Sequence, residues 1–194
     1  VNLMRSRQLS CSSPAMIRHI CRARCCIRTG APSSTDEDGV ITREFAIRRL
    51  GTSDLAGFRA MNALFADVFA EPAQYADHPP GDEYARDVLA RSDTILLVAE
   101  ADGAPVGALA AYVLPKFEQA RSEIYIYDLA VCARWRRMGV ASRLIEETRR
   151  IGREIGAWTV FVQADTAAED EPARLLYRKL ACDEIAALHF DITP

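Results

Sequence analysis

A strand-like run from Ile124 to Val131 leads through the basic loop Arg136-Arg137-Met138-Gly139 into a helical pattern that reaches about Gly156. Strand, short loop and helix in that order commit this part of the chain to an α/β layer. The same order makes a cradle for a phosphate. A helix N-terminus presents unpaired N–H groups and the positive end of its dipole to an anion. Gly139 has no Cβ to hold such an anion away from the backbone. Arg136 and Arg137 add positive charge at the rim.

The rest of the chain from about Ile41 alternates strand and helix signals. Phe45 to Leu50 reads as a strand. Thr52 or Ser53 is placed to cap a helix whose apolar face carries Leu55, Phe58, Phe65, Val68 and Phe69. A loop containing Pro72, His78, Pro79, Pro80 and Gly81 follows, then a helix over about Asp82 to Ala90. Thr94 to Glu100 is a continuous apolar strand, and Asp102-Gly103 turns it into Val106–Leu114 as a hairpin. Beyond the helix after Gly139, the pattern predicts a strand at Trp158–Ala164, a helix at Pro172–Leu180 and a last strand near Glu184–Ile192.

Charge and cysteine divide the chain at the same place. The net charge is −3, yet residues 1–30 hold six Arg and no acidic residue, so the remainder holds 18 basic and 27 acidic residues, a net of −9. An acidic body argues against general nucleic-acid binding and suits a cationic partner. Cys11, Cys21, Cys25 and Cys26 crowd the front, but without the paired spacing of a zinc knuckle, so no metal is expected. Residues 1–40 end in a polar, turn-rich stretch and read as a disordered basic extension to a domain at 41–194. The front segment has neither the apolar core of a secretory signal nor a sustained amphipathic pattern. No window approaches the roughly 18 apolar residues of a membrane span. A cytoplasmic protein with reduced thiols is expected.

The chemistry concentrates on Glu123-Ile124-Tyr125-Ile126-Tyr127-Asp128-Leu129-Ala130-Val131. With period two, Asp128 falls on the apolar face of Ile124 and Ile126. A carboxylate there either caps a backbone irregularity or serves a site. Tyr177, on the late helix, is either a packed Tyr with its hydroxyl at the surface or a proton donor. Cys132 invites a covalent mechanism, but no His lies beside it in the sequence.

The spacing Arg-x-x-Gly-x-Ala at Arg136–Ala141 resembles the pyrophosphate signature of the GCN5-related N-acetyltransferases (GNAT), and the element order is similar to theirs. The runs Val106–Val131, Val162–Asp165, Leu176–Leu180 and His189–Ile192 resemble the type I aminoglycoside 3-N-acetyltransferases, the gentamicin-resistance enzymes, over about residues 43–194. Cys182 departs from that pattern, where Gly is commoner. The resemblance implies an acyl-CoA N-acyltransferase fold of mixed α/β (α+β) type, its central sheet splayed at a cofactor cleft and flanked by helices. Acetyl-CoA would be the co-substrate. Leu129, Ala130 and Val131 would pair with its pantetheine arm, while Arg136, Arg137, Met138, Gly139, Val140, Ala141 and Ser142 would hold its pyrophosphate. A bulge in the strand would re-aim Tyr127 and Asp128 into the cleft.

An aminoglycoside is a polycation, so the resemblance also implies carboxylates in the acceptor pocket. Glu123, Asp165, Glu169, Asp170 and Asp191 are the candidates beside Tyr127 and Asp128. Asp128 would take the proton of the acceptor amine, and Tyr177 would protonate the departing thiolate, a phenol of pKa about 10 serving a thiol of about 8.5. The resemblance also allows a homodimer. Two other readings fit the same residues: an acetyltransferase acting on polyamines or protein amines, and a CoA-binding regulatory module without turnover. Retention of both Asp128 and Tyr177 speaks against the second.

Overall fold

The computed structural model describes Ser34–Thr35, residues 41–188, Phe190 and Ile192. Ser34–Thr35 (β1) pairs antiparallel with Ile41–Thr42 (β2) ahead of the main body; the rest of the basic extension lies outside the described residues. The body is a sheet of five strands in the order β3 (Ala46–Arg49), β4 (Thr94–Ala101), β5 (Ala104–Pro115), β6 (Ser122–Val131) and β7 (Thr159–Val162). Pairing is antiparallel from β3 to β6 and parallel between β6 and β7. A parallel pair needs a long crossover, and α4 (Val140–Glu154) supplies it.

Each strand is explained by its sequence. β4 is buried on nearly every residue, so its apolar run is continuous and does not alternate. Asp102 and Gly103 adopt φ of 52° and 73°, and the register pairs Ala101 with Ala104. Two consecutive positive φ values form the tight hairpin turn whose twist suits antiparallel strands.

Helices cover both faces. On one, α1 (Leu55–Phe69), the single-turn α2 (Pro72–Tyr75) and α3 (Asp82–Ala90) pack Phe58, Met61, Phe65, Phe69, Ala85 and Leu89 against the sheet. On the other, α4 buries Val140, Leu144, Ile145 and Ile151, and Leu176, Tyr177 and Leu180 of α5 (Glu171–Leu180) join that layer.

Three sequence expectations change. α1 takes Asp54 rather than Thr52 or Ser53 at its N-cap position, where the Asp54 carboxylate accepts the Gly51 N–H at 2.7 Å and pairs with Arg48 at 2.9 Å. The Pro-rich loop contains α2, because Pro72 pre-sets the first helical turn. The expected strand near Glu184–Ile192 is absent at residues 184–188, which carry no regular structure and leave Ile185 and Leu188 exposed. An alternating apolar pattern forms a strand only with a partner edge, and residues 184–188 pair with no strand among the described residues.

Gly107, opposite Val131 in the sheet, sets how closely α4 approaches. A Cβ there would lie 2.7 Å from Val140 Cγ1, the first residue of the helix, which is itself buried. Gly107→Ala should therefore cost about 1–3 kcal/mol through overpacking, read as a lower urea midpoint. An unchanged midpoint would show that α4 is not seated through this contact.

Candidate active site

The register between β5 and β6 slips by one residue: Ala110 faces Asp128, and Ala111 faces Ile126. Tyr127 is the extra residue, a β-bulge on β6. A bulge reverses the alternation beyond it. Ile124 and Ile126 therefore share the α4 face with Leu129 and Val131, while Asp128 and Ala130 turn to the α1 face. The reading that placed Asp128 among Ile124 and Ile126 by strict period two is corrected by this slip, and the expected bulge explains it.

Asp128 is buried, at 5 % exposure. A carboxylate so placed needs hydrogen-bond partners. Tyr75 Oη donates to its Oδ1 at 3.0 Å. The Tyr75 ring is fixed against Phe65 and Phe69, with centroids 5.6 and 5.7 Å away. Burial, and then the charge of Asp128, raise the Tyr75 phenol far above its ordinary value. It therefore remains an O–H donor throughout the neutral range. Tyr75 was not singled out from the sequence. Pro72 signalled only the helical turn that carries Tyr75, and nothing local in the sequence points to its partner.

The other side of the bulge is open. β7 pairs with Glu123 through Ile126 and then ends, so Tyr127–Val131 have no strand partner on that edge among the described residues. This is the splay expected for the cofactor cleft. An extended amide chain can add to such an edge as a strand would. Cys132 N–H donates to Val106 O at 2.9 Å, and Arg136 Nε donates to Val131 O at 3.3 Å, which ties the loop back to the sheet.

The loop itself is shaped as a cradle. Arg137 has φ of 63° and is exposed, and Gly139, at φ 83°, stands at the N-cap of α4 with open space where a Cβ would project. The first intrahelical bond runs from Arg143 N–H to Gly139 O at 3.0 Å, so the N–H groups of Val140, Ala141 and Ser142 precede it. Met138 packs against the core below and keeps this turn seated. Arg143 lies over the Phe45 ring at 4.7 Å, adding positive charge at the same end of the helix. These features fit the pyrophosphate and pantetheine of acetyl-CoA.

Tyr177 packs on the α4 side of the sheet, opposite to the face that carries Asp128. The two candidate proton carriers thus lie on opposite faces of the sheet. Cys132 is half-buried, and burial pushes its thiol up, which leaves it a poorer nucleophile at neutral pH.

Of the remaining acidic candidates, Glu123 and Asp165 have partners elsewhere. Glu123 lies at the far end of β6 and pairs with Lys116 at 3.4 Å. Asp165 accepts the Ala167 N–H at 3.1 Å and so shapes the turn before α5, and Arg174 bonds the carbonyls of Asp165 and Ala167. Asp170 is buried at the N-terminus of α5, where a carboxylate meets the favourable end of the helix dipole. The Glu169 side chain and Asp191 lie outside the described residues. Among the described residues no group of three or more His, Cys, Asp or Glu is placed to hold a metal ion, and no helix is long and apolar enough to cross a membrane.

Gly139→Ala should cost about 1–2 kcal/mol, because an L side chain is strained in the left-handed region. It should also weaken CoA binding about tenfold or more by calorimetry, as the turn relaxes and the N–H array moves. Wild-type affinity in this variant would remove the loop from the cofactor site.

A sequence model of the acetyltransferase (GNAT) family matches residues 59–181. Among solved structures, an aminoglycoside acetyltransferase from an uncultured soil metagenomic sample is 45% identical with a TM-score of 0.76, covering 78% of this chain and 99% of its own. A second such enzyme from a soil metagenome, solved with sisomicin, is 31% identical with a TM-score of 0.69, covering 77% and 96%. An AAC(6')-Iy bound to a bisubstrate analogue shares the fold at 19% identity and a TM-score of 0.59, covering 78% and 99%. No curated protein matches significantly. Cradle, splayed sheet and family match agree: the chain belongs to the GNAT family and is an acetyl-CoA-dependent N-acetyltransferase.

Proposed function

We propose that the chain acetylates the 3-amino group of gentamicin-type aminoglycosides, with residues 41–194 as the catalytic unit. The observation that carries this reading is the buried Asp128 carboxylate, fixed by Tyr75 at the bulge beside the open edge of β6. A buried carboxylate in that position suits an ammonium group delivered from the acceptor side. The aminoglycoside class is supported by the relative at 45% identity and by the one solved with sisomicin. The position on the sugar is supported by the likeness of Val106–Val131 to the type I 3-N-acetyltransferases.

Acetyl-CoA supplies the activated acetyl thioester. Asp128 accepts one proton from the 3-ammonium, directly or through water, and frees the amine for attack on the carbonyl carbon. Backbone N–H groups on the open edge at Leu129–Val131 stabilise the oxyanion. Tyr177 gives its proton to the departing thiolate from the opposite face of the sheet. On collapse the acetylated nitrogen gives up its second proton to solvent, the Tyr177 phenoxide takes one back from solvent, and the Asp128 carboxyl releases the one it accepted, for a net release of one proton. The sheet and α4 fix these groups relative to one another, which contributes through orientation.

Asp128→Asn keeps the size of the side chain and removes the base. Thiol release with gentamicin and acetyl-CoA should fall about 10²–10⁴-fold in kcat, and NMR of the wild-type product should place the acetyl group on the 3-amine. Wild-type turnover in the variant would remove Asp128 from the chemistry. Acetylation at another amine would remove the regiochemical reading.

A further inference from the structure

Along the sheet face that carries Asp128, side-chain size changes abruptly. Beneath α1 the residues are Ala108 and Ala110 on β5 and Ala130 on β6, all buried. Past Asp128 they become aromatic: Tyr112 on β5, Tyr125 and Tyr127 on β6, and Phe161 on β7. Tyr112 and Tyr125 are register partners, as are Tyr125 and Phe161. The rings form one continuous group. Tyr125 stacks on Phe161 with centroids 4.9 Å apart and 12° between planes. Tyr127 meets Tyr125 and Tyr112 edge-on at 5.7 and 5.8 Å. Tyr125 Oη also bonds Gln163 Oε1 at 3.0 Å, which holds the array at its β7 end.

This wall is not finished as a core. Tyr112 is 39% exposed and Tyr127 45% exposed. A contiguous aromatic face left open beside a buried carboxylate marks a binding surface. Its charge specifies the occupant. Ring faces carry negative potential and attract cations. Burial first, and then neighbouring Asp128 and Tyr127, raise the phenols of Tyr112 and Tyr125, which places these rings within the field of the carboxylate. A saturated sugar ring bearing several ammonium groups satisfies both parts of the surface, its C–H face against the rings and its cations toward the rings and Asp128. A linear polyamine offers the charges without the ring face.

We propose that Tyr112, Tyr125, Tyr127 and Phe161 form an aromatic wall that receives an aminated sugar ring of the acceptor and directs its amine to Asp128. This inference rests on the aminoglycoside reading above and adds the element that selects ring-bearing polycations over linear ones. The bulge couples the two, because Tyr127 and Asp128 are consecutive and turn to the same face.

The test is steady-state kinetics of Tyr112→Ala, Tyr127→Ala and Tyr127→Phe with gentamicin or spermidine at saturating acetyl-CoA, with melting curves to verify folding. Both alanine variants should raise the gentamicin KM about 3- to 30-fold, and Tyr112→Ala, which lies off the β6 edge, should leave the acetyl-CoA KM, measured with acetyl-CoA varied, within about twofold. Tyr127→Phe, which keeps the ring, should recover most of the lost affinity. An unchanged gentamicin KM in both alanine variants, with an active wild type, would overturn the wall alone. The same kinetic result accompanied by dissociation of a dimer would reassign the face to self-association and also overturn it. A wild type that acetylates spermidine but not gentamicin would overturn the aminoglycoside reading and the wall together.

Discussion

One residue in β6 without a partner on β5 decides which face of the sheet Asp128 reaches. Without the bulge at Tyr127, strict alternation would drive Asp128 into the layer beneath α4, among Ile124, Ile126 and Leu144. An ionised carboxylate there would have apolar neighbours and no donor. With the bulge, the same residue reaches the α1 side and the hydroxyl of Tyr75. The reversal also preserves the core: Leu129 and Val131 take up the α4 face that Ile124 and Ile126 began. A local irregularity in the backbone therefore serves packing and the site together.

The bulge depends in turn on its surroundings. Phe65 and Phe69 of α1 hold the Tyr75 ring, so the helix that closes one face of the core also orients the donor to Asp128. On the opposite side, Gly107 admits Val140 close to the sheet at the end of β6, and this places the N-terminus of α4 beside the open edge. The early end of β7 after Val162 leaves that edge free. Three packing decisions thus converge on Tyr127–Val131. The buried Asp128 carboxylate, the open edge of β6 and the N-terminus of α4 occupy neighbouring positions because the same few contacts set them all.

Much of this was legible in the sequence, for physical reasons that differ between elements. The hairpin at Asp102-Gly103 was readable because both turn residues need positive φ, which few dipeptides tolerate. The turn into α4 was readable because Gly139, placed before a helical pattern, suits a positive φ at the helix start. The direction of Asp128 was readable only once a bulge was invoked, since period two alone assigns it to the wrong face. Tyr75 and Tyr112 were not identified. Their roles depend on partners 53 residues away for Tyr75 and on a neighbouring strand for Tyr112, and local pattern carries no register between strands. Asp165 follows the strand predicted at Trp158–Ala164, and its carboxylate accepts a backbone N–H two residues on, a use that Asp commonly finds in turns. The strand expected near Glu184–Ile192 failed at residues 184–188 because alternation predicts a face, not a partner.

The central claim is that the edge of β6 beyond Ile126, together with the first turn of α4, is where acetyl-CoA docks. Peptide-resolved amide hydrogen exchange with and without CoA tests this most directly. The account predicts slower exchange in CoA at edge-facing amides of Tyr127–Val131 and at Gly139–Arg143, with β4 unchanged because its amides are already paired on both sides. Protection that appears elsewhere, with Tyr127–Val131 and the first turn of α4 unaffected, would contradict it.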